Sequence, residues 1–213
     1  LGKNKPFQRM MKIGRLVLEG YTSVGKINIG PANTFYSFNE IEGFRGRIGG
    51  RTNTLFSKRM VFEGYAAYGF KDKKWKGFGG LRYSFPNQNV LKFPYNQIQI
   101  WYQDEIRIPG QDLNFVQEDN FLLSFKRGVN NKMIYNELLG LEYTKEAQNG
   151  FSYAISFKKG RQRPAGVLKF EYLEDGETVT KNEIKTSEFG LTLRYAPNEQ
   201  FYQTSLYRVP ILN

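Results

Sequence analysis

The stretch from Glu40 to Phe70 constrains the fold of this chain more than any other part of its sequence. It contains two runs in which apolar residues alternate with charged or small ones, joined by a short polar link. In the first run, Phe44 and Ile48 occupy one set of alternate positions and Arg45 begins the other set. Successive side chains of a β-strand point to opposite sides of its sheet. The stretch therefore predicts a β-hairpin with one apolar face and one charged face.

The same alternation recurs along most of the chain, in about ten or eleven runs separated by turn signals. The clearest run is 151–157, which follows the hairpin signal Asn149-Gly150. Further runs are predicted at 16–20 and 121–125. No segment of useful length has the 3.6-residue period of an amphipathic helix. We therefore predict an all-β protein whose strands form an antiparallel, up-and-down arrangement in a single domain.

The composition agrees with this fold but leaves its environment open. Aromatic residues make up 16% of the 213 residues, and a high aromatic content favours strands. No run approaches the roughly 18 apolar residues that a transmembrane helix needs. The mean hydropathy of −0.55 is compatible with a membrane β-barrel, because half of each strand is polar. Alternation alone fits a soluble sandwich or lipocalin-like barrel with its charged face in water, or a membrane barrel with its apolar face in lipid.

Two features of the strands favour the membrane barrel. Most predicted strands run for about eight residues or more, close to the roughly 9–11 that cross a bilayer at a tilt. Aromatic residues also cluster at strand ends, as they do in the interfacial girdles of membrane barrels. We predict that the following aromatic residues lie at the two membrane interfaces: Tyr68, Phe70, Trp75, Tyr83, Phe85, Tyr143 and Tyr195.

In a membrane barrel, the charged face would line the lumen. A dry soluble core could not hold so many unpaired charges, because burying an unpaired charge is very costly. We hypothesise that these side chains form a network that braces the barrel or sets the electrostatics of its lumen. The predicted lumen network consists of Glu42, Arg45, Arg47, Arg51, Glu63, Arg82 and Arg194.

The residue types exclude several kinds of catalytic site. The sequence holds no Cys and no His, which excludes thiolate nucleophiles, Cys/His zinc sites and His-based triads. The Gly-rich segment 46–51 lacks the following helix that a phosphate cradle needs. Asp104 and Glu105 are adjacent and point to opposite sides of a strand, so they form no acid–base pair by themselves. We predict a non-enzymatic protein with no catalytic residue, no metal and no cofactor.

The net charge of +11 permits an anionic partner, such as lipid headgroups or lipopolysaccharide. The segment KDKKWKGF at 71–78 has the basic and aromatic mixture that can stack on single-stranded nucleic acid. We interpret it instead as an interfacial Trp flanked by Lys side chains that extend toward water. The expected partners are therefore membrane lipid or lipopolysaccharide, with other envelope proteins, and no nucleic acid.

Two motifs in the first half of the chain resemble a known protein family. Residues 42–53 match E-G-x-R-x-R-x-G-x-R-T-N, and residues 64–72 match G-Y-x-A-Y-G-x-K-D. Residues 191–199, LTLRYAPNE, are also similar to this family. It comprises large outer-membrane β-barrel proteins of Bacteroidota that carry a carboxypeptidase-regulatory-like (Ig-like) domain ahead of a barrel of unknown function. The resemblance implies an antiparallel transmembrane β-barrel in the bacterial outer membrane, and it implies no catalytic residue.

The ends of the sequence and one further motif complete these expectations. The chain begins without an initiator Met and ends in YRVPILN, without the terminal aromatic that is usual in outer-membrane barrels. We therefore expect residues 1–213 to be part of a larger barrel, with 1–12 as a linker or turn, in a structural or transport role. Two alternatives stay open: a soluble lipid- or ligand-binding β-barrel, and an outer-membrane assembly factor. The second alternative depends on G-F-R-G at 43–46, which is similar to a loop motif of that superfamily.

Overall fold

The computed structural model describes residues 20–110, 131–203 and 208–211. The predicted linker at 1–12, nearly all of the predicted strand at 16–20 and the whole of that at 121–125 lie outside these ranges. Within the described ranges, no helix is both long enough and apolar enough to cross a membrane.

Almost all regular structure in the described part of the chain is β-strand, apart from a short 3-10 helix at Ala32–Thr34. The strands are β1 (Thr22–Val24), β2 (Ile27–Ile29), β3 (Tyr36–Asn39), β4 (Gly43–Thr52), β5 (Met60–Gly69), β6 (Lys74–Ser84), β7 (Asn96–Arg107), β8 (Lys132–Glu146), β9 (Phe151–Gly166), β10 (Phe170–Glu174), β11 (Glu177–Lys181), β12 (Ile184–Tyr195), β13 (Gln200–Gln203) and β14 (Arg208–Ile211). The all-β prediction is confirmed.

Ten strands form one antiparallel sheet, and most neighbours along the chain are also neighbours in this sheet. Its order is β1-β2-β4-β5-β6-β7-β8-β9-β12, and β3 pairs with the start of β4. β10 and β11 form a separate hairpin between β9 and β12, and β13 and β14 form another. The predicted antiparallel arrangement is confirmed. Among the described residues, β12 pairs only with β9, so the sheet does not close on itself within them.

The pairing register divides the sheet into two chemically different faces. Arg45, Arg47 and Arg51 alternate along β4 and share a side with Glu63 of β5, which lies opposite Arg51. We call this side the charged face. The other side carries Phe44 and its equivalents on the neighbouring strands, and we call it the apolar face.

The connections at the two ends of the sheet differ in length. Residues 108–131 join β7 to β8, and residues 167–183, which include the β10–β11 hairpin, join β9 to β12. The end of β7, the start of β8 and the connection 167–183 lie at one end of the sheet, which we call the long-loop end. The opposite, short-loop end includes the tight turn 147–150 between β8 and β9. Its longest connection within the sheet is 85–95, between β6 and β7.

Few large apolar side chains of the described residues are buried. A small cluster near the long-loop end contains Ile106, Met133 and Ala165. The largest fully buried side chains are instead those of Arg45 and Glu42. This inverts the usual distribution in a soluble domain, where Arg and Glu are almost never fully buried unless paired. Among the described residues, the largest buried side chains therefore belong to charge pairs rather than to an apolar core.

Candidate functional site: a buried charge cluster behind an exposed apolar face

Glu42 is held at the start of β4 by the turn that precedes it. The Asn39 side chain accepts a hydrogen bond from the Glu42 N–H at 2.8 Å and donates one to Glu42 Oε2 at 2.6 Å. Gly43 follows with a φ of +66°, a conformation that glycine adopts readily because it has no Cβ. The Glu42 carboxylate is fully buried in this arrangement.

Arg45 connects Glu42 to Glu105 of β7. Its Nη2 donates to Glu105 Oε1 at 2.5 Å, and its Nη1 lies 3.7 Å from Glu42 Oε2. Tyr65 of β5 donates its hydroxyl to the same Glu105 oxygen at 2.6 Å. The side chains of Arg45 and Glu105 are 1% and 5% exposed, so this contact is almost completely shielded from water. One carboxylate oxygen therefore receives donors from two different strands.

Lys76 of β6 forms the second half of the cluster. Its Nζ lies 2.6 Å from Glu42 Oε1 and 2.6 Å from Asp72 Oδ2. Tyr135 of β8 donates its hydroxyl to the same Asp72 oxygen at 3.1 Å. Because Glu42 contacts both Lys76 and Arg45, the two halves form one connected cluster that reaches from β4 to β8.

Gly69, at the end of β5, makes room for this cluster. A Cβ at this position would overlap Asp72 Oδ1 and would lie 3.0 Å from Glu42 Cβ. Any larger residue would therefore displace the Asp72 carboxylate that Lys76 contacts. The glycine is required here by a close approach of side chains, since its φ is not in the left-handed region.

The cluster places two cations and three carboxylates in one buried site, with two phenol hydroxyls donating to the carboxylates. A buried ion pair depends on its partners, because removing one leaves an uncompensated buried charge. This arrangement can brace β4 to β8 against one another. No group of three or more His, Cys, Asp or Glu side chains in the described ranges is placed to hold a metal ion.

The other residues of the predicted network make separate contacts. The Arg47 guanidinium lies 3.5 Å from the centre of the Tyr65 ring, and Arg51 lies 4.7 Å from the centre of the Tyr21 ring. Arg82 Nη2 of β6 lies 3.4 Å from Glu63 Oε1 of β5. These side chains share the charged face with Arg45 but lie nearer the short-loop end.

Arg194 lies apart from this group, near the short-loop end of the edge strand β12. Its Nη1 and Nη2 donate to the Glu199 carboxylate at 2.6 and 2.5 Å. The hydrogen bond from Arg194 lowers the pKa of Glu199 below its usual value. The structure therefore joins Arg45 to Glu42, places Arg82 beside Glu63, and gives Arg194 a local partner.

Five residues of the cluster lay outside the predicted network: Tyr65, Asp72, Lys76, Glu105 and Tyr135. Glu105 falls on the charged face by its position in β7, since it occupies the same alternate set as Gln103. The alternation along β7 is visible in the sequence, so the face on which Glu105 lies could have been predicted. The contact itself depends on which strands lie near β7, and this information comes from the pairing order of the sheet.

A first group of aromatic side chains lies on the apolar face toward the long-loop end. The Tyr68 ring centre is 5.3 Å from that of Phe70 and 5.1 Å from that of Trp75. Phe44, which was not among the predicted interfacial residues, lies 5.6 Å from Phe70. Trp75 is 70% exposed, so this group presents a large apolar surface.

A second aromatic group lies on the same face toward the short-loop end. Phe85 lies 5.5 Å from Tyr83 and 6.0 Å from Tyr143, measured between ring centres. Tyr153, which was not predicted, lies 6.0 Å from Tyr143. Tyr195 is paired with its neighbour on β9 at the same end. The seven predicted aromatic residues thus fall into two groups at opposite ends of the apolar face.

Between the two groups, one apolar row crosses the sheet from β5 to β12. Each member lies directly opposite the next in the strand pairing. The row consists of Phe62, Leu81, Ile100, Leu141, Phe157 and Phe189. Most of these side chains are exposed, up to 72% for Phe189. The apolar face is therefore a continuous surface that nothing in the described part of the chain covers.

A cavity of about 220 Å³ lies at the short-loop end. Its lining includes two arginines, each of which already has a carboxylate partner. Arg208 of β14 donates from Nη1 and Nη2 to the Glu146 carboxylate of β8, at 2.9 and 3.1 Å, and its guanidinium lies 3.5 Å from the centre of the Phe201 ring. These contacts fasten the β13–β14 hairpin to the main sheet.

No protein-family model, curated protein or solved structure matches this chain. The chemistry of the two faces is therefore the basis for assigning a function.

Proposed function

We propose that this chain is part of a transmembrane β-barrel of the bacterial outer membrane, with a structural or transport role and no catalytic activity. The observation that carries the proposal is the polarity of the sheet. Its apolar face is exposed between two aromatic groups, while its charged face buries Arg45 and Glu42. Membrane barrels have this outward apolar band, flanked by aromatic girdles, around a polar interior.

The spacing of the aromatic groups supports the same proposal. On β6, Trp75 marks one group and Phe85, just after the strand, belongs to the other. At a rise of about 3.3 Å per residue, about 33 Å of extended chain separates them. A strand tilt of about 40° reduces this to about 25 Å, which is the height of the apolar band of outer-membrane barrels.

A soluble lipid- or ligand-binding barrel would need the opposite polarity. Such barrels enclose their ligand in the interior and expose polar side chains to water. Here the interior side chains Arg45 and Lys76 are charged, and the exposed row is apolar. Contiguous exposed apolar surfaces of this kind mark contacts with membranes or other proteins. The polarity therefore favours the membrane barrel over the soluble alternative.

The assembly-factor alternative depends on the G-F-R-G motif at 43–46. In the structure these residues begin β4 and pair with β3 and β5, so the motif lies in a strand. The superfamily motif that it resembles lies in a loop. No observation in the described part of the chain favours this alternative.

Two measurements on the intact protein test the proposal. We expect the protein to partition into the detergent phase and, when loaded without boiling, to migrate differently from the boiled sample on a denaturing gel. Partitioning follows from the exposed apolar face, and the difference in migration follows because a barrel keeps its hydrogen-bonded strands in detergent until it is heated. A protein that stays monomeric and soluble without detergent, and whose migration is unaffected by boiling, would falsify the proposal.

A further inference from the structure

The apolar face of β9 and β12 becomes basic beyond the apolar row. Phe157 and Phe189 belong to that row and lie opposite each other. Toward the long-loop end, the next outward-facing positions of these strands include four cations. We call them the basic rim: Lys159, Arg161, Arg163 and Lys185.

The rim is continuous with the apolar surface. Lys159 is two positions beyond Phe157, about 7 Å along the strand. It is exposed and lies opposite Leu139 of β8, which is 45% exposed. Lys185 lies opposite Arg161 in the next outward-facing row. Cations therefore begin where the apolar surface ends, which is the level that lipid headgroups occupy in a membrane.

Two carboxylates form ion pairs with cations of the rim but do not neutralise its charge. Arg161 Nε lies 2.6 Å from Glu183 Oε2, and Lys185 Nζ lies 2.9 Å from Glu183 Oε1. Arg163 Nη2 lies 2.5 Å from Glu137 Oε1. These contacts pair three of the four rim cations with a carboxylate.

The rim keeps a net positive charge. Its four cations exceed the two carboxylates that contact three of them, and the excess remains when Asp104, on the same face of β7, is counted. Guanidinium groups are suited to phosphate because their planar N–H groups match its oxygens in pairs. The surface is therefore complementary to a phosphate-bearing headgroup.

The rim also lies at the end of the sheet where the longest connections occur. In outer-membrane barrels the longer loops face the cell exterior and the shorter turns face the periplasm. If the chain follows this rule, the rim lies in the outer leaflet. We propose that the basic rim binds the phosphate groups of a phosphorylated glycolipid of that leaflet, lipopolysaccharide. This inference rests on the proposed function.

The test uses the full chain in a neutral detergent, with diphosphorylated lipid A and dephosphorylated lipid A as probes. Bound lipid is counted by native mass spectrometry. We expect the wild type to prefer the diphosphorylated probe. Each of Lys159→Gln and Lys185→Gln should weaken its binding about fivefold, because a basic residue at a membrane surface contributes about that factor. The matched control is Lys145→Gln, on the apolar face at the short-loop end, which should bind as the wild type does.

Two further measurements separate the possible failures. Lys159→Arg keeps the charge and should keep the affinity, and the heat-dependent gel shift of each variant verifies that it is folded. Equal binding of both probes, or equal losses in the rim variants and in Lys145→Gln, overturns the lipid assignment while leaving the proposed barrel intact. A wild-type protein without the gel shift overturns the proposed function instead.

The orientation has its own test, because residues 1–213 include no cysteine. Leu173→Cys places a thiol on the β10–β11 hairpin, where the residue is 77% exposed, and Gln148→Cys places one in the β8–β9 turn. A membrane-impermeant maleimide applied to intact cells should label only the first. Labelling of Gln148→Cys alone would put the rim in the inner leaflet and overturn the lipopolysaccharide assignment.

Discussion

Arg45 Nη2 lies 2.5 Å from Glu105 Oε1, although two other strands separate β4 from β7 in the sheet. In a flat sheet, three strand spacings of about 4.8 Å would place these backbones about 14 Å apart. The side chains meet above Ala67 of β5, which is 1% exposed, and Lys76 of β6, which is 5% exposed. These contacts across several strands, together with their burial, indicate that the sheet curls toward its charged face, which makes that face concave and the apolar face convex.

We predict that Glu105→Gln strongly destabilises the protein. It weakens the charge-assisted hydrogen bonds that Glu105 accepts from Arg45 and Tyr65, and a hydrogen bond to a charged group contributes about 1.5–3 kcal/mol. The free energy of unfolding in urea, measured in detergent or lipid vesicles, checks this. The control is Glu188→Gln, whose partner Lys158 lies 3.2 Å away and whose side chain is 63% exposed. That change should cost less than about 1 kcal/mol. Similar costs for the two variants would contradict a bracing role for the cluster.

Gly69→Ala should also destabilise the protein, by about 1–3 kcal/mol, because overpacking displaces neighbours that cannot relax freely. The new methyl group would press on Asp72 and Glu42. Gly79→Ala is the matched control, since a Cβ there has no neighbour within 4 Å. The comparison is made by urea unfolding, and a Gly69→Ala protein as stable as Gly79→Ala would show that the close approach has no energetic consequence.

A pair of adjacent substitutions on β9 tests which face contacts lipid. Phe157 and Ser156 point to opposite faces. Phe157→Arg places a charge on the proposed lipid face and should destabilise the inserted protein by about 2–4 kcal/mol. Ser156→Arg places it on the charged face, opposite Glu142, and should be tolerated. The measurement is the yield of folded protein in lipid vesicles. A greater loss of folded protein for Ser156→Arg would mean that the charged face contacts lipid, and it would contradict the proposal.

Glu183 should contribute stability that depends on pH. Hydrogen bonds from Lys185 and then Arg161 lower the pKa of this carboxyl below its ordinary value of 4.5. Because the folded-state pKa is the lower one, the contribution is complete above about pH 4.5 and is lost as the pH falls through the folded-state value. Unfolding measured from pH 6 down to about pH 3 should show this loss in the wild type. Glu183→Gln should show a smaller pH dependence over that range, and an unchanged dependence would contradict the contact.

The alternation of residues predicted the strands and their faces because side-chain direction in a strand depends only on position along the chain. Arg45, Arg47 and Arg51 could be assigned to one face from the sequence for this reason. The same rule also assigned Arg194 to the lumen network. Its contact with Glu199 shows the limit of the rule, since a shared face does not imply a shared neighbourhood.

The cluster partners of Arg45 depend on contacts that the sequence does not display. Asp72 and Lys76 appear in the sequence as part of the basic and aromatic segment 71–78, and Glu105 as one of two adjacent acids. Whether these residues contact one another depends on the order of β4, β6 and β7 in the sheet and on the curvature of the sheet. Pairing order and curvature are properties of the whole sheet, because they depend on hydrogen bonds between residues far apart in the chain.

The hairpin between Glu40 and Phe70 shows which properties depend on the sequence alone and which depend on the tertiary structure. The sequence by itself determined that the hairpin has an apolar face and a charged face, and that most of the chain repeats this pattern, because the two-residue period of a strand is local. Only the tertiary structure decided which face is concave and buried. Side chains from β4, β5 and β7 meet on one side of the sheet, and they meet there because the twisted sheet curls toward its charged face.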